Sequence, residues 1–86
     1  MNLTESDLMK RIDDLLDDID LEGYQHDIFS VPYKKFRKIE QNYEILCTSL
    51  GFHTAVAYLK DEVTGLRGKE EKMPPSFIDL LELLNQ

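Results

Sequence analysis

Residues 31–50 read Val-Pro-Tyr-Lys-Lys-Phe-Arg-Lys-Ile-Glu-Gln-Asn-Tyr-Glu-Ile-Leu-Cys-Thr-Ser-Leu. Within them Phe36, Ile39, Tyr43, Leu46, Cys47 and Leu50 are spaced three, four, three, one and three apart, which is one stripe of an α-helix. Pro32 suits the first turn, where no N–H is required, and Gly51 suits a left-handed residue just past the end. A helix this long, apolar along one side and charged along the other, must bury its stripe against other elements. The rest of the chain is read as what covers it.

Upstream, Thr4 is placed to cap a first helix, with Asp7 three residues on and Leu3 and Leu8 spaced as a hydrophobic staple. Leu8, Ile12, Leu15, Leu16 and Ile19 form its apolar stripe, and the helix is expected to run to about Asp18, with Gly23 as a breaker. Asp13, Asp14, Asp17 and Asp18 fall on the opposite side, near the C-terminal end, where negative charge opposes the helix dipole. Residues 22–29 suggest a short helix turning Tyr24, Ile28 and Phe29 inward. After Gly51, Thr54 is the expected cap of a third helix ending near Thr64, with Val56, Leu59 and Val63 as its stripe. The segment from Leu66 to Met73, with Gly68 and Lys69-Glu70-Glu71-Lys72, reads as an exposed loop. Pro74-Pro75 then gives way to a fourth helix, with Ser76 as expected cap and Asp79 three residues later. Phe77, Ile78, Leu80, Leu81, Leu83 and Leu84 make that helix apolar nearly all round. Two readings stand: it plugs the centre of the bundle, or part of it is a contact surface.

At 86 residues the chain reads as a single domain near the lower end of what folds alone, all-α, a small compact bundle of three to four short helices. No apolar run approaches the roughly 20 residues that span a bilayer, and the acid-rich start does not have the pattern of a cleavable signal. The lone Cys47 leaves no internal disulfide to form and points to a reducing, cytoplasmic setting.

The net charge of −7 is unevenly distributed. Residues 1–32 carry nine acids against two bases, residues 33–60 two against five, and residues 61–86 six against three. Such a surface repels phosphate, which disfavours nucleic acid, and it suits a basic protein partner.

Spacing decides against several chemistries. Asp18, Asp20, Glu22 and Gly23 match the opening of an EF-hand calcium loop, but its twelfth position is Phe29, where a bidentate Glu is required. His26, Cys47 and His53 lack the close ligand pair of a zinc site. Cys47 and His53, six residues apart, have no orienting acid or oxyanion donors beside them in sequence, so no catalytic residue, metal or cofactor is assigned.

The expected function is a non-enzymatic protein–protein interaction module of an inhibitor-, immunity- or adaptor-like kind. It would hold a basic or amphipathic protein through Asp13, Asp14, Asp17 and Asp18, which steer the encounter, with Phe77 and Leu81 of the last helix as apolar anchors. The alternative is a small helix-turn-helix DNA-binding regulator using Lys34, Lys35, Arg37 and Lys38 together with the third helix. Against it, Ala57 and Lys60 stand where that motif wants branched and apolar residues, and Asp61 and Glu62 lie on the would-be recognition helix. A third reading is a homo-oligomer in which the acidic start of one chain meets the basic middle of another.

Overall fold

A computed structural model describes residues 4–23 and 30–85 of the chain. It contains four α-helices: α1 (Glu5–Gly23), α2 (Val31–Ser49), α3 (Phe52–Thr64) and α4 (Ser76–Leu84), with a 3₁₀ turn at Glu70–Lys72. The described residues form no strand, so the architecture is the all-α bundle the periodicity predicts. None of these helices is long and apolar enough to cross a membrane.

The ends of α2 follow the sequence closely. Ser30 is the N-cap, its hydroxyl accepting from the Tyr33 N–H at 3.3 Å, and Pro32 sits in the first turn. At the other end Gly51 adopts φ +96°, a conformation that favours glycine, and both Leu50 and Gly51 donate backbone hydrogen bonds to Leu46. The tight reversal brings α3 back along α2, and Asn42 Nδ2 donates to Tyr58 Oη across the pair at 2.9 Å. Because the chain turns within Gly51 itself, α3 begins at Phe52 and the N-cap is Gly51. Thr54 therefore lies inside the helix and does not cap it. Starting early buries Phe52, which an N-cap at Thr54 would have left in the connector.

α1 packs mainly on α4, and α3 also touches α4. Ile12, Leu16 and Ile19 of α1 meet Phe36, Ile39 and Tyr43 of α2, Ala55, Leu59 and Val63 of α3, and Phe77 and Leu80 of α4 in one core. Phe36 and Phe77 are both wholly buried and pack edge to face, with ring centres 5.7 Å apart. The connector after α3 is anchored at both ends by buried Leu66 and Met73, with its charged residues between them turned outward or half-buried.

At the start of α1, Thr4 caps as expected, its hydroxyl accepting from the Asp7 N–H at 3.1 Å. Leu3 and residues 24–29, including Tyr24, His26, Ile28 and Phe29, lie outside the described residues. The far end differs from expectation: α1 runs a full turn past Asp18. Two contacts hold that turn. Gly23 is buried against Tyr33, so closely that a Cβ there would stand 2.7 Å from the Tyr33 ring carbon bearing the hydroxyl. Glu22 reaches the start of α4, accepting from the Ser76 N–H at 2.9 Å and from the Ser76 hydroxyl at 2.6 Å. Ser76 is thus the first residue of α4 and not its cap; no side chain of its own neighbourhood caps the helix. The carboxylate of Glu22 does so from α1, placing negative charge at the positive end of the α4 dipole. With residues 18–23 helical, the acids of the EF-hand opening are spread round a helix and form no loop.

Candidate functional site

The first candidate surface is the outer side of α1. Asp13, Asp14, Asp17 and Asp18 all remain exposed there. Among the described residues none of the four stands within ion-pair distance of a cation. Asp13 and Asp17, and likewise Asp14 and Asp18, are one turn apart, where like charges repel. Asp13 registers this: partial desolvation at the edge of the helix, followed by the charges of Asp17 and Asp14, raises its pKa above the ordinary carboxylate value, although its side chain is largely exposed.

One turn further on, the pattern reverses. Asp20 turns toward α2 and pairs with Arg37, which also reaches Glu40 at 3.2 Å. Glu40 lies off the apolar stripe of α2, yet it is buried, 7 % exposed, beside Asp20 and Arg37. Burial, then the nearby Asp20 carboxylate, raise its pKa to about 7, with Arg37 pulling the other way. Charge offset between the acidic end of α1 and the basic start of α2 is therefore local to Asp20, Arg37 and Glu40. It leaves the four outer aspartates unneutralised.

A groove of about 350 Å³ lies beside Asp13, between α1 and the second half of α2. Met9 and Asp13 line one side, Tyr43, Glu44, Cys47 and Thr48 the other, and Phe52 closes the end. Tyr43 is 2 % exposed, and its hydroxyl has no hydrogen-bond partner among the described residues. Burial first, then the Cys47 thiol, Asp13 and Glu44, raise its pKa, so the phenol stays neutral. The groove continues over Glu44 and Thr48 into a shallow trough along α2, lined by Gln41, Ile45 and Ser49 as well. Ile45, 63 % exposed, and Leu50, 65 % exposed, are the large apolar side chains on this part of the surface.

Phe77 and Leu81 are not on the surface. Phe77 is wholly buried and Leu81 is 8 % exposed, both within the core, so neither offers a side chain to a partner. A nine-residue helix laid across a small bundle is covered on nearly every side; only Ile78 among its large apolar residues stays open. The large apolar side chains exposed among the described residues are instead Met9, Leu21, Val31, Ile45, Leu50 and Ile78, of which Met9 lines the groove and Ile45 the trough.

Lys34, Lys35, Arg37 and Lys38 are exposed on the first half of α2. At 1.5 Å per residue, Lys38 lies roughly 20 Å along the axis from the Gly51 turn, so the cluster sits far from the N-terminus of α3. The exposed side of α3 carries Lys60 beside Asp61. His53 is turned to Glu5, its Nε2 3.0 Å from Oε2, while Cys47 lines the groove. No cluster of three or more metal-ligating side chains occurs among the described residues.

Comparison with family models, with characterised proteins and with solved structures returns no match, and the functional reading rests on this geometry alone.

Proposed function

We propose that the protein is a non-enzymatic binding module that holds a basic, amphipathic protein segment against the acidic side of α1 and the adjoining surface of α2. The reading fits a reducing, cytoplasmic protein with a single free thiol. One observation carries it: Asp13, Asp14, Asp17 and Asp18 are exposed, mutually repelling and without a cation among the described residues, although the same helix pairs Asp20 with Arg37. Such an arrangement costs the free protein stability, and a cationic partner would relieve that cost on binding. Charges of this kind raise association rates more than they slow dissociation. Met9, Ile45 and Leu50 would supply apolar contact beside them.

The test is capture of partners from a cell lysate on the tagged chain, with and without nuclease, alongside the variant D13N/D14N/D17N/D18N. A protein retained at fixed stoichiometry by the wild type, insensitive to nuclease and lost by the variant supports the proposal. Equal capture by the folded variant, or a catch that vanishes with nuclease, overturns it.

A further inference from the structure

The groove between α1 and α2 combines three features that point to one kind of occupant. Its walls are largely apolar: Met9, Cys47, and the rings of Tyr43 and Phe52. Its rim carries two exposed carboxylates, Asp13 from α1 and Glu44 from α2. The hydroxyl of Tyr43, neighbour to Cys47, Asp13 and Glu44, is buried and unpartnered among the described residues. A buried polar group without a partner costs on the order of 1–3 kcal/mol and calls for an explanation. At about 350 Å³ the space is at the low end for small-molecule sites. Its size and chemistry suit a side chain with an aliphatic stem and a charged head.

We infer that this groove is the receptor for a single lysine or arginine side chain of a bound protein, a reading that rests on the acidic-surface function proposed above. The methylenes lie against Met9 and Cys47, as long cationic side chains cover apolar surface elsewhere. The head reaches Asp13 and Glu44, and the neutral Tyr43 hydroxyl accepts one of its N–H groups through a lone pair. Met9 and Cys47, which line the groove and are unbranched, would have to rotate to open the buried hydroxyl to it. The remaining aspartates, Asp14, Asp17 and Asp18, then act at long range and Asp13 at contact. One surface thus divides into a steering part and a reading part.

The inference is tested by nuclear magnetic resonance titration of the full chain, labelled with ¹⁵N and ¹³C. The probes are N-acetyl-arginine methylamide and N-acetyl-lysine methylamide, with N-acetyl-norleucine methylamide as an uncharged stem of similar length. The expected result is saturable shifts confined to Met9, Asp13, Tyr43, Glu44, Cys47, Thr48 and Phe52 with either cationic probe and absent with norleucine. Tyr43→Phe, which removes only the unpartnered hydroxyl and keeps the ring packed, should weaken that binding about tenfold, the low end for a hydrogen bond to a charged group. Asp14→Asn with Asp18→Asn should leave it within twofold. Shifts spread over Asp14, Asp17 and Asp18 and erased by salt would overturn the groove while leaving the acidic surface standing. Equal response to norleucine, no response to any probe, or an unchanged Tyr43→Phe would also overturn it. The capture experiment decides the wider reading independently.

Discussion

Glu40→Gln isolates the one buried carboxyl among the described residues, which lies beside Asp20 of α1 and Arg37 of α2. In the folded chain the Glu40 pKa lies at about 7, against 4.5 for an unburied glutamate. Its folded-state pKa is raised, so the folded form holds the proton more tightly than the unfolded form. Stability from this group is fully present below about pH 4.5 and is lost as pH rises through 7. A tenfold difference in proton affinity corresponds to about 1.4 kcal/mol, which gives a loss of about 2–3 kcal/mol between pH 5 and pH 8. Glutamine resembles the protonated acid in shape and keeps a donor and an acceptor, but never ionises. The variant should therefore lie close to the wild type at pH 5 and be more stable at pH 8, the gap widening by about 2–3 kcal/mol. Urea unfolding of both proteins across pH 5–8 measures the difference directly. Comparing the two curves removes the general fall caused by the net charge of −7, which both share above pH 7 to within one charge. Parallel curves would show that Glu40 does not titrate in this window. A variant weaker at pH 8 would show that the ionised Glu40–Arg37 pair outweighs desolvation, and the argument from burial would be wrong.

Two further outcomes follow from contacts already described. In the free protein, the variant D13N/D14N/D17N/D18N removes two like-charge pairs one turn apart and should gain up to about 1 kcal/mol, or roughly 4–8 °C in Tm for a domain of this size, even as partner capture is lost; a thermal melt showing no gain would mean that the aspartates do not repel in the folded state. Gly23→Ala should destabilise by about 1–3 kcal/mol in chemical unfolding because the methyl meets the buried Tyr33 ring, whereas helix propensity alone predicts a gain of about 1 kcal/mol, so the sign decides.

What was legible in the sequence was local. Ser30, Pro32 and Gly51 bound α2 through local geometry, and the three- and four-residue spacings of α1, α2 and α3 identified the stripes that face the core, except at Leu50, which lies at the C-terminal end of α2 and is exposed. What was missed depended on residues far away in the chain. Gly23 reads as a breaker and is the last residue of α1, but the helix reaches it instead of stopping near Asp18, and its lack of a side chain leaves room for Tyr33, ten positions on. Ser76 reads as a cap, yet Glu22 supplies the capping carboxylate from the first helix. Glu40 looks solvent-facing on a helical wheel and is buried beside Asp20 of α1. The groove mixes residues that the wheel assigned to opposite classes: Tyr43 and Cys47 on the apolar side, Glu44 on the polar side. Only the position of α1 shows that the border between them is concave. The four aspartates were legible because exposure is what charge predicts; Phe77 and Leu81 were ambiguous because an all-apolar helix has no side that marks its direction.

The Glu22–Ser76 link has a bearing on the order in which the molecule is assembled. α2 and α3 are joined through a tight turn at Gly51 and can pair as soon as both exist, with almost no loop to close. The first helix, by contrast, finds its main packing partner only in the fourth, 54 residues separating the carboxylate from the amide it caps. During synthesis the apolar stripe of α1 is thus made before the other three helices and is among the last covered. Its row of aspartates gives the emerging segment a charge that discourages association with other unfinished chains. The same residues that we assign to partner binding in the finished protein would then protect it while it is incomplete.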